Sequence, residues 1–221
     1  MDECRKMEAK VNIIKNADGS AMFRFGDTIA IAAVYGPKQM HPQHSQNPKK
    51  GVLRCNYDML SFSVPERKRP GPSRRSQEIS KVTEWALSSV VDLDAYPNTV
   101  VDVHVMVLQA NASTRCAGIN AASMALATAG ISMKELVSTV SIGKVDDQIV
   151  VDLIKEEEDY EDGEGATDMP MAFTKSGRIT LLQLDGKIRP SELKEAVKIG
   201  KKACKEIYEL QKKALRKMEE K

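Results

Sequence analysis

The chain has 221 residues, 42% of them hydrophobic and 29% charged, with a formal net charge of +2. That length and balance suit one sizeable core and exclude several independent domains, a disordered chain or a strongly acidic one. A whole-chain basic signature for nucleic acid is missing, so any such surface must be local.

In chain order, Val11 to Ile14 reads as a strand, and Asn16 to Ser20 as a turn with Asp18-Gly19 at its tip. Ala21 to Phe25 is the partner strand, Gly26-Asp27 a second turn, and Thr28 to Tyr35 a third strand. Gly36 to Gly51 is polar and punctuated by prolines, which predicts a loop. Leu53, Cys55, Tyr57 and Met59 alternate within Val52 to Phe62, which predicts a half-buried strand. Pro65 to Arg75 is too basic and too rich in proline to pack as a core element. Ser73 is a candidate N-cap for a helix whose stripe runs Ile79, Val82, Trp85 or Ala86, and Val90.

Thr99 to Gln109 is a valine-rich strand, expected to be central. A small-residue helix follows from Ser113 to about Ala129, stopped by Gly130, and its alanines predict close packing on a sheet. Val137 to Lys144 and Gln148 to Leu153 read as a hairpin turning at Asp146-Asp147. After an acidic stretch, Met169 to Phe173 and Ile179 to Leu184 form another hairpin. A last helix starts near Ser191, behind Pro190. This order predicts an α+β fold of one domain, with mixed sheets packed on helices, not a doubly wound sheet. Within it, residues 1–150 carry a first sheet-helix half and residues 151–221 the acidic loop and final helix. Cys4, Cys55, Cys116 and Cys204 are scattered without a CxxC pair, which reads as reduced thiols of a cytoplasmic protein. No signal-like or membrane-spanning apolar run is present.

Three segments could carry chemistry. Gln109 to Arg115 joins a buried strand to a helix start, where free N–H groups suit an anion. Ser113 and Thr114 add hydroxyl donors there, and Arg115 adds a fork of donors for phosphate. The plainer alternative is an ordinary hydroxyl N-cap beside a surface arginine. Arg67, Lys68, Arg69, Arg74 and Arg75 could neutralise an RNA backbone, or simply be solvated. In the acidic run Glu156 to Asp168, most charges are expected to face water. Asp168 differs, because it directly precedes an apolar strand. With Asp162 it could hold a divalent ion, or one of the pair could be left protonated and donate to a leaving oxygen. An anion cradle, a basic track and a proton-donating carboxyl together are what phosphorolysis requires.

Several stretches resemble the RNase PH family. They are Ala17-Asp18-Gly19-Ser20, Ala32-Ala33-Val34-Tyr35-Gly36-Pro37, and Phe62-Ser63-Val64-Pro65-Glu66-Arg67-Lys68-Arg69-Pro70-Gly71-Pro72. Arg74-Arg75-Ser76-Gln77-Glu78-Ile79-Ser80-Lys81, the cradle and Asp168-Met169-Pro170 continue the likeness over nearly the whole chain. Within the family it is most similar to the catalytic RNase PH-like subunits of the archaeal exosome. The resemblance implies the RNase PH fold, related to the second domain of a ribosomal small-subunit protein. It implies 3′→5′ phosphorolysis of RNA, with inorganic phosphate as co-substrate, nucleoside diphosphates as product, and tail addition as the reverse reaction.

By the same resemblance Arg75, Ser113, Thr114 and Arg115 match phosphate-binding positions, and Arg67, Lys68, Arg69 and Arg74 match RNA contacts. Asp168 matches a general acid, and Asp162 a carboxylate that orients it or helps hold Mg2+. The implied assembly is a ring of three heterodimers with a non-catalytic sister subunit, under RNA-binding cap subunits and away from any membrane. One departure concerns the cradle, where the family often has Asp and Gly and this chain has Asn111 and Ser113. A non-catalytic ring subunit would lack part of the set Arg75, Thr114, Arg115, Asp162 and Asp168, all of which are present. A transfer-RNA-trimming homohexamer is disfavoured by the Glu-Arg-Lys-Arg-Pro-Gly-Pro loop. A phosphometabolite kinase would need a glycine-rich nucleotide loop that this sequence lacks.

Overall fold

The computed structural model describes residues 3–146, 148–160 and 165–219. Strands β1 (Met7–Val11), β2 (Gly19–Phe25), β3 (Thr28–Gln39), β4 (Val52–Met59) and β5 (Thr99–Gln109) form one sheet in the order β1-β2-β3-β5-β4. Its pairs are antiparallel except β4 with β5, which is parallel. Strands β6 (Val137–Val145), β7 (Gln148–Val151), β8 (Ala166–Thr174) and β9 (Ile179–Leu182) form a second, antiparallel sheet in the order β7-β6-β8-β9. The helices are α1 (Arg74–Ser88), α2 (Thr114–Thr128), the short α3 (Lys155–Glu158) and α4 (Pro190–Glu219).

Helix α2 lies between the two sheets, touching β2, β3 and β5 on one side and β6 on the other. It is buried all round, from Cys116 to Leu126. Alanines and glycines make that possible. A Cβ at Gly19 of β2 would stand 2.3 Å from the Ala125 carbonyl oxygen and the Ala129 nitrogen, so only a hydrogen fits there. On the other side the bare amide Asn120 spans helix and sheet. It donates to the Thr139 carbonyl at 2.8 Å and accepts from the Thr139 N–H at 2.8 Å. The buried Gln211 of α4 donates to the Val137 carbonyl at 3.1 Å and accepts from Ser138 Oγ at 2.8 Å. These polar side chains are buried and bonded, so they fix the α2–β6–α4 register while their hydrogen bonds offset the cost of leaving water.

Several expectations shift. The first strand ends at Val11 rather than beginning there, because Asn12 takes a left-handed φ of 56° and turns the chain. Strand β3 runs on through Gly36 to Gln39, residues expected in a loop, because Lys38 and Gln39 pair with Val100 and Thr99 after a register shift. Of the two options on α1, Ala86 is buried and Trp85 is 62% exposed. The division at residue 150 falls inside β7. Hydrogen bonding puts β6 and β7 with β8 and β9, so the halves separate between α2 and β6. Strand spacing along the chain says nothing about which sheet a hairpin joins. No helix among the described residues is long and apolar enough to cross a membrane, and the four cysteines are free thiols.

Candidate active site

Two helix N-termini converge on the site. At α1 the Ser73 hydroxyl accepts from the Ser76 N–H at 3.1 Å, and the Ser76 hydroxyl accepts from the Ser73 N–H at 2.8 Å. This reciprocal cap starts the helix at Arg74 and leaves Arg74 and Arg75 exposed in its first turn. At α2, Arg115 occupies the first turn. Neither first turn carries an acidic residue. Cations at the positive end of a helix are disfavoured, by about 0.3–1 kcal/mol each, unless an anion joins them. Both termini therefore have a standing preference for an anion.

The cradle ahead of α2 is held in place from behind. Ala112 and Ser113 take left-handed φ values of 54° and 50°. Ser113 makes no side-chain cap, contrary to the simple N-cap reading, because a left-handed residue cannot aim its hydroxyl back at the first turn. Such backbone strain persists only where neighbours impose it. Here the single Thr28 Oγ1 proton is shared between the carbonyls of Asn111 at 2.9 Å and Ala112 at 2.8 Å, and Oγ1 accepts the Asn111 N–H at 2.9 Å. Arg5 Nη1 donates to the Asn111 carbonyl at 2.8 Å. Arg5 is itself clamped by Asp152, with Nε to Oδ2 at 2.8 Å and Nη2 to Oδ1 at 2.7 Å. Asn111 Oδ1 accepts the Lys155 N–H at 2.9 Å, tying the cradle to α3.

Thr114 is buried at 5% exposure, and Arg115 is half-buried. The Arg115 fork reaches Gln183 through Nη1 and Glu78 through Nη2, the latter at 3.2 Å. Gln183 also donates to Glu78 at 2.9 Å. Arg115 is thus aimed before any substrate arrives. No described residue bonds to the Arg75 side chain.

Asp168 lies within β8, not ahead of it, because the pairing with β6 begins at Ala166 opposite Val145. Its backbone exchanges hydrogen bonds with Asp185 at 2.8 and 2.9 Å. The Ser141 hydroxyl donates to Asp168 Oδ1. Burial pushes the Asp168 carboxyl up from the ordinary aspartate value. The Ser141 hydrogen bond and the Arg115 charge oppose that, Asp185 adds to it, and Arg75 again opposes it. Arg75, Arg115 and Asp168 therefore share one electrostatic site, although they lie on α1, α2 and β8. Asp162 lies outside the described residues.

The basic loop borders the cradle. Its base is fixed where the Ala110 N–H donates to the Ser63 carbonyl at 2.9 Å and the Lys68 N–H to the Ser61 carbonyl at 3.0 Å. Arg67 and Arg69 are exposed. Lys68 differs, because its Nζ is paired with Asp58 at 2.6 Å.

Sequence reasoning missed Arg5, Thr28, Asp152, Ser141 and Asp185. Each acts through a partner more than fifteen residues away, so no local pattern marks it. Among the described residues no group of three carboxylate, histidine or cysteine side chains could hold a metal ion. Of the carboxylates near the site, Asp168 has Ser141 on one oxygen and two arginines near it, Asp185 stands beside it, and Glu78 is taken up by Arg115. These residues do not by themselves fit Mg2+.

Residues 3–132 match the first domain of the 3′ exoribonuclease family (RNase PH), and residues 135–203 match its second domain. The chain is 50% identical over 216 residues to the exosome complex component Rrp41 of Methanopyrus kandleri, a match covering 97% of this chain and 89% of that one. To the Rrp41 of Thermococcus gammatolerans it is 50% identical over 215 residues, covering 97% and 85%. Among solved structures, rice Rrp46 aligns with a TM-score of 0.84 at 24% identity, covering 97% of this chain and 96% of that one. A chain of the Archaeoglobus fulgidus exosome with RNA bound to the active site aligns with a TM-score of 0.81 at 23% identity, covering 94% and 89%. At such identities the solved structures speak for the fold alone. Sequence and architecture together place this chain in the RNase PH family of 3′ exoribonucleases.

Proposed function

We propose that this chain is the catalytic subunit of an archaeal exosome, removing nucleotides from RNA 3′ ends by phosphorolysis. The observation that carries the reading is one site holding two arginine-bearing helix N-termini and a carboxyl kept toward its neutral form. Inorganic phosphate is the nucleophile. Arg75, Thr114, Arg115 and the free N–H groups of α2, with Ser113 shaping the turn, hold it and offset its repulsion from the RNA phosphodiester. A phosphate oxygen attacks the terminal phosphodiester phosphorus, and the bond from that phosphorus to the preceding 3′ oxygen breaks. Asp168 gives its proton to that leaving oxygen. Ser141 occupies Oδ1, so the transferable proton resides on Oδ2. The products are a nucleoside diphosphate and an RNA one nucleotide shorter.

Arg67, Arg69 and Arg74 track the RNA backbone, while Lys68 is partly neutralised by Asp58. Asp162 supports Asp168, and any Mg2+ would need it. The curated relatives are named as exosome components, which supports work in a ring with a related RNase PH-like subunit. Cap subunits that bind RNA, and the cytoplasm as the compartment, complete the proposal. The test is decay of a 3′-end-labelled RNA with and without phosphate, by the chain alone and with its sister subunit. Nucleoside diphosphates released only with phosphate are expected. Nucleoside monophosphates released in phosphate-free buffer would refute it.

A further inference from the structure

Tyr57 of β4 is a core residue with a polar end that its core neighbours leave unpaired. It is 4% exposed, and its hydroxyl is buried without a completed hydrogen bond. Leaving a buried hydroxyl unpaired costs about 1–3 kcal/mol. A phenylalanine would fill the same place without that penalty.

The position of the ring suggests what the hydroxyl is for. The Tyr57 N–H donates to Ser80 Oγ at 2.8 Å, and Ser80 donates to the Ser76 carbonyl at 2.6 Å, so the residue is moored to α1. Its ring lies against α2 at Gly118, where an added Cβ would stand 3.5 Å from Cε2 and 3.6 Å from Cδ2. Residue 114 is one turn before residue 118 on the same helix face. The Tyr57 hydroxyl accordingly faces Thr114, its nearest hydrogen-bonding side chain, within the fields of Arg75, Arg115 and Asp58. Burial, the largest influence, keeps the phenol protonated. It is therefore a donor in need of an acceptor. The two guanidinium groups offer none, whereas a threonine hydroxyl can accept one proton while donating its own.

We propose that Tyr57 is a positioning residue for phosphate: its hydroxyl donates to Thr114 Oγ1, which turns the Thr114 proton toward a phosphate oxygen. The relay needs Gly118, since any side chain there would lift the helix off the Tyr57 ring and Val105, whose Cγ1 lies 2.9 Å from the added Cβ. This rests on the reading of Thr114 as a phosphate ligand.

The test is Tyr57→Phe in the chain assembled with its sister subunit, with phosphorolysis rate measured against phosphate concentration. The expected result is a KM for phosphate raised about 5- to 10-fold with kcat within about twofold, as for one lost ordinary hydrogen bond. Guanidinium unfolding should show the variant cooperatively folded, with a midpoint close to the parent's, so that the KM change is not one of folding. A residue that only packs the core would leave KM unchanged. In a Thr114→Val background, Tyr57→Phe should add nothing, because the relay is already cut. An unchanged KM in the single variant, or an undiminished effect in the double variant, overturns the relay. If the parent shows no dependence on phosphate, the proposed function fails instead. If Thr114→Val leaves KM untouched, the assignment beneath the relay fails.

Discussion

Arg5→Ala should unfasten the phosphate cradle from behind while touching neither phosphate nor RNA. Asp152 is wholly buried and Arg5 is 17% exposed, so the pair is largely screened from water. The substitution removes both guanidinium bonds to Asp152 and the bond to the Asn111 carbonyl. Asn111 keeps Thr28 as a donor, at 2.9 Å. Asp152 keeps only the residue-5 backbone N–H at 3.2 Å, which leaves a buried carboxylate almost uncompensated. Breaking such a pair costs about 3–5 kcal/mol. For a domain of this size each kcal/mol lowers Tm by about 2–4 °C, so a fall of about 6–20 °C is expected. Asp152→Asn should cost less, because the amide oxygen still accepts from Arg5 and the guanidinium can reach water. With Arg5 gone, the cradle loses one of three anchors on Asn111 and keeps Thr28 and the Lys155 N–H, and the KM for phosphate should rise. Thermal unfolding and phosphate titration of the same preparations check both. A stability loss under about 1 kcal/mol, or a larger loss for Asp152→Asn, would refute the burial argument.

Asp168→Asn should lower the phosphorolysis rate by about 10²- to 10⁴-fold with RNA binding retained, as read by single-turnover decay and filter binding. The same variant should be more stable at neutral pH. The folded Asp168 pKa is raised, so its favourable contribution is complete below the unfolded value of 3.8 and is lost as pH rises through the folded value. Above that window the buried charge opposes folding, and the neutral amide removes the penalty; a lowered Tm at pH 7 would contradict this. Replacing Arg67 and Arg69 together with Gln should flatten the slope of log binding constant against log salt by about 1.4, at about 0.7 per single-strand phosphate contact. Lys68→Gln, whose charge is already paired with Asp58, should change that slope least. Gly19→Ala should destabilise by about 1–3 kcal/mol or more, since its Cβ would meet α2 backbone rather than a yielding side chain. Wild-type unfolding by that variant would mean that α2 and β2 can separate freely.

Much of the fold was legible because its signals are local. Alternation marked Leu53, Cys55 and Tyr57 as one buried face, as found. Ser73 was readable as a cap from its place before a helical stripe, and the capping box bears it out. Its richness in valine marked Thr99 to Gln109 as an interior strand, and it lies between β3 and β4. The alanines of α2 marked a helix packed closely on a sheet. The same local reading failed at Val11 to Ile14, where an asparagine turn outweighed strand propensity.

The site itself was legible only in part. Sequence alone determined which residues could bind an anion or give up a proton: the arginines beside two helix starts, Thr114, and a carboxyl next to an apolar strand. Their chemistry is intrinsic to the side chains, and their helix and strand positions follow from nearby residues. Tertiary structure decided which of them meet and how each is tuned. It brought α1, α2 and β8 together, set Ser141 and Asp185 beside Asp168, and clamped a left-handed cradle with Thr28, Arg5 and Asp152. Those contacts join segments as far apart as residues 5 and 152. Burial, which raises the Asp168 pKa and leaves the Tyr57 hydroxyl in want of an acceptor, is a property of the assembled core and of no segment within it.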